Sequence, residues 1–323
     1  EISNKLIKAL AEPLQLFGEK VFIKARIGIS TYPQNSKDPE QLINQARTAL
    51  NVSSKSDINF YSLDLSNLIK YENLIEEEIY YALQNNKLVL FFQPQIDTDN
   101  FEIIGAEALI RMQKSDGTIL SPFDFLEVAK KKGLMTEIDR FVLESTAKIA
   151  KELNSSLNNK IKVFFNVSKS FFEDKDFLNF IEIVLDKYDI DPSYLGVELT
   201  EEIFIDDFYS AQKKINALKN MGLQIALDDF GTGFSSLAYL NKLRIDKIKI
   251  DKSFIDDLLK SESSKRLVSS IISMSHILGL EVIAEGVETQ EQLSFLQSKG
   301  CYEIQGYYFS KPLPLAEFVK SFC

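Results

Sequence analysis

Five strand-like runs of this chain carry or end in carboxylates, and that placement is its strongest chemical signal. Glu107 sits inside the apolar run 103–110, flanked by Ala106 and Ala108. Glu198 lies in Gly196-Val197-Glu198-Leu199-Thr200-Glu201, Asp228 and Asp229 close the run 223–227, Asp251 closes 247–250, and Glu285 closes 280–284. A single acid at a strand end is ordinarily a helix cap or a solvated loop residue, and Asp251, ahead of Lys252-Ser253, fits that role. Acids repeated on successive strands fit it poorly. Gathered at one end of a sheet they repel one another, and they stay ionised only when something neutralises them. Divalent cations are the natural neutraliser. The adjacent pair Asp228-Asp229 suits two ions, which such sites hold about 3.5–4 Å apart to activate water and stabilise a leaving oxygen.

These acids need elements that bring them to one place. Apolar runs at 88–92, 103–110, 162–167, 195–199, 223–227, 247–250 and 280–284, with a last short one near Ile304, read as strands. Amphipathic stretches at 139–153, 211–221, 265–278 and 290–299 read as helices between them, and a charged helix from Ile69 to Gln84 precedes them. Strand–helix alternation implies a mainly parallel sheet. Runs apolar throughout imply strands covered on both faces. The span 66–323 has the length of an eightfold α/β barrel of about 250 residues, whose strand C-termini share one mouth. An open doubly wound sheet is the rival, but no Gly-rich phosphate loop marks one.

Composition narrows the chemistry. Hydrophobic residues make up 45% and charged residues 26% of 323, enough for a sizeable core. A net charge of −10 argues against broad binding to polymeric nucleic acid, which needs a basic surface. The single histidine, His276, falls in an apolar helical stretch and reads as a packing residue, which argues against a His-rich zinc site and a His-based triad. Cys301 and Cys323 give no disulfide framework and fit a reducing, cytoplasmic setting. Any metal should therefore be a hard cation on oxygen ligands. No run reaches the roughly 18 apolar residues of a membrane span. Asp229-Phe230-Gly231 also matches the metal-binding triplet of protein kinases, but no Gly-rich loop, His-Arg-Asp or Ala-Pro-Glu accompanies it.

Gly105-Ala106-Glu107-Ala108-Leu109-Ile110-Arg111 resembles the signature of the EAL domain, a family of cyclic di-GMP phosphodiesterases. The resemblance continues in order through Phe92-Gln93-Pro94, Asn166-Val167-Ser168, Glu198-Leu199-Thr200-Glu201, Asp228-Asp229-Phe230-Gly231-Thr232-Gly233, Lys249-Ile250-Asp251, Ala284-Glu285-Gly286-Val287-Glu288 and Gln305-Gly306-Tyr307-Tyr308. A bare Glu-Ala-Leu carries no information; eight ordered blocks over one barrel length are specific.

The resemblance implies a TIM-like (β/α)8 barrel with one antiparallel strand, and hydrolysis of cyclic di-GMP to linear pGpG by a water activated at two Mg²⁺ or Mn²⁺ ions, with Ca²⁺ inhibitory. Glu107, Asn166, Glu198 and Asp228 would hold the first ion, and Asp228, Asp229 and Glu285 the second. Lys249 would orient the water and offset transition-state charge, with Glu107 and Glu285 as its catalytic companions. Gln93, Leu109, Arg111, Asn166, Glu288 and Gln305 would contact substrate. Alternation along a strand puts residues 107, 109 and 111 on one face. Glu201, Phe230, Gly231, Thr232 and Gly233 would couple the site to a homodimer interface. A catalytically inactive cyclic di-GMP receptor is the alternative, although such members usually lack an acid that is present here. Met112 departs from the Trp usual after the arginine.

Residues 1–65 read as a small α+β fragment, with a strand over 21–30, a helix over 40–52 and a short strand at 59–61. They resemble the C-terminal part of a GGDEF domain through Arg26-Ile27-Gly28-Ile29-Ser30, Tyr32-Pro33 and the helix 42–50, without that family's signature loop. Two domains are expected, 1–65 and 66–323. Glu1 without a methionine suggests a start inside a longer gene product with upstream sensor domains, where missing regions could anchor the parent in a membrane.

Overall fold

The apolar runs pair edge to edge into a closed barrel. Its strands are β1 (Leu88–Asp97), β2 (Glu102–Gln113), β3 (Lys162–Asn166), β4 (Leu195–Thr200), β5 (Gln224–Phe230), β6 (Lys247–Ile250), β7 (Glu281–Ala284) and β8 (Glu303–Ile304). From β2 to β8 each strand is parallel to the next. β1 closes the ring and runs antiparallel to both β2 and β8. Alternation and length suggested an eightfold barrel, and the antiparallel first strand is what the EAL resemblance implied. The computed structural model describes residues 2–17, 19–51, 58–156, 160–231, 240 and 242–323. They group into two compact units, Glu1–Tyr80 with Glu127–Lys132, and Tyr81–Leu126 with Gly133–Cys323.

β1 runs five residues past the expected 88–92, through Gln93-Pro94-Gln95-Ile96-Asp97. Polar residues ended the sequence pattern there, yet Gln93 and Gln95 are buried, because they pair opposite Glu107 and Gly105 in the barrel wall. The helices expected from 139, 211 and 265 start three or four residues earlier, at Met135, Phe208 and Glu262, while the one expected from 290 starts there; caps rather than periodicity fix such ends. Asp207 accepts from Ser210 N at 3.0 Å and starts Phe208–Met221, which Gly222 ends at φ +100°. Thr289 and Gln292 form a capping box on Gln290–Ser298. Inside the barrel, Phe164 fills the middle layer. A Cβ on Gly196 of the neighbouring strand would lie 2.2 Å from that ring, so a glycine is what lets the aromatic fit. Met112 is fully buried, on the strand face opposite Arg111, and so contributes packing rather than substrate contact. Among the described residues no helix is long and apolar enough to cross a membrane.

The smaller unit has an antiparallel hairpin of Leu14–Leu16 with Glu19–Val21, and a parallel pair of Ile27–Ile29 with Ile58–Phe60. The single strand expected over 21–30 is therefore two, broken where the chain changes partner. Helix Pro39–Leu50 packs on the parallel pair, and a Cβ on Gly28 would meet Ala46 O at 2.0 Å.

Candidate active site

Strand alternation brings the acids together at the C-terminal mouth, around one lysine. Lys249 is 1% exposed. Its Nζ lies 2.6 Å from Glu198 Oε2, 2.6 Å from Glu285 Oε1, 3.2 Å from Asp228 Oδ1 and 3.5 Å from Glu107 Oε2. Four strands besides its own, or the turns that follow them, thus supply carboxylates to one ammonium. Glu107 is gripped further by two amides: Asn166 Nδ2 donates to Oε1 at 2.7 Å and Gln305 Nε2 donates to Oε2 at 2.5 Å. Gln305 Nε2 also donates to Gln93 Oε1 at 3.2 Å.

Electrostatics follows from burial and crowding. Burial would strip the proton from Lys249, but the four carboxylates outweigh it and hold the ammonium well above its ordinary pKa. Burial likewise opposes ionisation of Glu107, yet Lys249 and the amide donors Gln305 and Asn166 keep it below the usual value. Glu198 goes the other way: burial first, then the Glu107 charge, push it well above the carboxylate range. Burial pushes Glu285 up to about 8, with Asp228 and Glu107 adding to the shift against Lys249. One lysine therefore under-neutralises the cluster. Glu198 Oε1 is buried with no hydrogen-bond partner, a cost that a cation ligand would remove. Asn166, having given its amide N–H to Glu107, has its carbonyl oxygen to offer. An all-oxygen set of this kind suits a hard divalent cation. Among the described residues no three His, Cys, Asp or Glu side chains form a ready-made metal cage; the ammonium stands where the acids converge.

Asp228 and Asp229 owe their placement to a β-bulge. The β5–β6 register shifts between Leu227 and Phe230, and Asp229 adopts φ +53°. Such a conformation costs a non-glycine residue about 1–3 kcal/mol and concentrates at functional sites. Asp229 is exposed at the rim and does not touch Lys249, unlike Asp228. Partial desolvation of its carboxyl, then the charges of Asp228 and Asp251, push it up to about 6. Asp251 accepts from Ser253 N at 3.0 Å and caps Lys252–Asp256, the role its sequence suggested. Glu201 Oε1 accepts from Gly231 N at 2.8 Å, which ties Gly231 down just past the buried Phe230. Thr232 and Gly233 lie outside the described residues.

A cavity of about 230 Å³ opens over the cluster, lined by Gln93, Leu109, Glu288 and Gln305 together with Glu107, Asp228, Lys249 and Glu285. Lys252 and Tyr307 also line it. Sequence reasoning gave Lys252 no role, because it begins a helix just past the strand. In the fold its Nζ sits 2.7 Å from Glu288 Oε1. Arg111 does not line the cavity: its guanidinium lies 5.2 Å over the Phe91 ring and donates to Ile110 O at 2.8 Å. Burial lowers its pKa, opposed by Tyr307 and Glu107.

The turn after β3 is braced from outside. Ser168 caps Lys169–Glu173 and its hydroxyl donates to buried Asp139. Burial outweighs that hydrogen bond and pushes Asp139 up from 3.8 to about 7. The native state thus holds a proton that the unfolded chain has released, so stability falls as pH rises from about 4 through about 7, then levels off. Asp139→Asn should remove this slope. Unfolding free energies from urea titrations should show the variant gaining on wild type between pH 5 and pH 8, by at most about 3 kcal/mol; an unchanged difference would show that Asp139 is ionised throughout.

Residues 76–312 match the EAL domain family. The chain belongs to that family. Among curated relatives, it is 34% identical over 320 residues to the signaling protein YkoW of Bacillus subtilis, covering 98% of this chain and 40% of that protein. It is 32% identical over 327 residues to the cyclic di-GMP phosphodiesterase NbdA of Pseudomonas aeruginosa, covering 99% of this chain and 42% of that protein. The chain thus spans about two fifths of these relatives. Among solved structures, the PaMucR phosphodiesterase in complex with c-di-GMP superposes with a TM-score of 0.73 at 32% identity, over 76% of this chain and 99% of that one.

Proposed function

We propose that this chain hydrolyses cyclic di-GMP to linear pGpG. The observation that carries the reading is the buried ammonium of Lys249 ringed by Glu107, Glu198, Asp228 and Glu285, beneath a cavity on an EAL barrel. Glu107, Asn166, Glu198 and Asp228 would hold one divalent ion, and Asp228, Asp229 and Glu285 a second. When bound, two Mg²⁺ or Mn²⁺ ions lower the pKa of a water and draw charge from the phosphate oxygens. The chain's own groups do the rest. Lys249 holds positive charge beside the phosphorus as negative charge builds there. Gln93, Gln305, Leu109 and Glu288 shape the cavity around the nucleotide, and Arg111 swings from Phe91 to a phosphate. The water oxygen bonds to phosphorus, the bond from phosphorus to the 3′ oxygen breaks, and the 3′ oxygen takes up a proton. The reading includes a cytoplasmic setting, a homodimer and upstream sensor domains.

Incubation with cyclic di-GMP and Mg²⁺, followed by chromatography, should give pGpG as the product, and Ca²⁺ or a chelator should suppress it. Tight binding without turnover in both Mg²⁺ and Mn²⁺ would instead make the chain a receptor. Glu201 tests the coupling between Gly231 and the paired aspartates. In this reading its bond to Gly231 N transmits order to the Asp228-Asp229 bulge, so Glu201→Ala should raise the Mg²⁺ concentration for half activity by about tenfold. Unchanged turnover and magnesium affinity would remove Glu201 from the mechanism.

A further inference from the structure

Gln95 is 1% exposed and lies one layer below the acids. Its Nε2 donates to Gln305 Oε1 at 3.1 Å, while its own Oε1 is buried without a partner. An amide can present either end, and the partner of one end decides what the other end shows. Because Gln95 occupies the carbonyl of Gln305, both N–H bonds of Gln305 point toward Glu107 Oε2 at 2.5 Å and Gln93 Oε1 at 3.2 Å. Turned over, Gln305 would set its carbonyl against the Glu107 carboxylate and its amino group against that of Gln95. Gly105 leaves room for the Gln95 amide: a Cβ there would come within 2.9 Å of its Oε1 and 3.1 Å of Lys162 O.

We infer that Gln95 is a positioning residue for the cation site: through Gln305 it fixes the orientation of the Glu107 carboxylate. The inference rests on the two-cation reading above and adds to it a group that touches neither ion nor substrate. Support of this kind behind a metal ligand is typically worth 10–100-fold in affinity. Gln95→Met keeps the length of the side chain but has no donor for Gln305. Gly105→Ala leaves Gln95 chemically intact and displaces it.

The test is calorimetric titration of Mn²⁺ into the whole chain without nucleotide, with thermal melts to confirm folding. Gln95→Met should raise the Mn²⁺ Kd by about tenfold or more, and Gly105→Ala should move it the same way. Activity lost at limiting Mn²⁺ should return as Mn²⁺ is raised, a rescue that general damage to the fold would not show. If Gln95→Met fails to fold, Gly105→Ala decides. Mn²⁺ binding within about twofold of wild type in the folded variants would overturn the inference alone. A wild-type chain that binds no Mn²⁺ would overturn the two-cation reading and this inference with it.

Discussion

Lys249→Met is expected to reduce turnover of cyclic di-GMP by at least about 100-fold while tightening divalent-cation binding. The two effects have one cause. The ammonium holds the point on which Glu107, Glu198, Asp228 and Glu285 converge. A cation arriving there meets four acids but also a like charge, and unit charges at such separations interact by roughly 1–4 kcal/mol. Removing that repulsion should tighten Mn²⁺ by about tenfold or more. Catalysis loses the buried cation that the described residues place among these acids. Stability should separate as well. Without added metal the variant leaves its acids uncompensated and should lose about 3–5 kcal/mol. Mg²⁺ should recover more of that loss than it adds to wild type, because a ligand that binds only the folded state raises stability with its affinity. Thermal melts with Mg²⁺ and with a chelator, beside a turnover assay, check all three effects. Retained turnover would end the role given to Lys249.

Asp228→Asn should lower turnover by at least about 100-fold with the fold intact. The substitution changes almost no volume. Asp228 touches Lys249 at 3.2 Å from a strand position where a bulge sets its direction. It is also the one acid assigned to both ions, so losing its charge weakens both at once. Product chromatography at saturating Mg²⁺ measures the effect, and circular dichroism confirms folding. Turnover equal to wild type would rule out Asp228 as a bridging ligand.

The barrel was legible because apolar runs covered on both faces are rare outside parallel sheets, and because the acids at their ends had to share one mouth. Less was legible where geometry depends on register. Lys247 and Lys249 lie on the same face of β6, and both are buried against acids, Lys247 against Glu281 and Glu303. Composition cannot tell the lower lysine from the upper one; the EAL resemblance singled out Lys249. Gln95 was overlooked because a glutamine in an apolar run reads as the end of a strand, and only the pairing of β1 with β2 and β8 shows that it faces inward. The extended β1 and the broken strand near residue 22 have the same origin, since strand ends are decided by partners far away in sequence. Asp229 could be named from its neighbour, but its left-handed backbone and rim position could not. Arg111 was placed on the correct face by alternation, while its stacking on Phe91 follows from a strand pairing that no local pattern contains.

Anomalous diffraction from crystals soaked in Mn²⁺ tests the central claim most directly. Two peaks are expected among Glu107, Asn166, Glu198, Asp228, Asp229 and Glu285, with Lys249 displaced from its present contacts. No peak at that mouth, with Lys249 still bonded to Glu198 and Glu285, would contradict it.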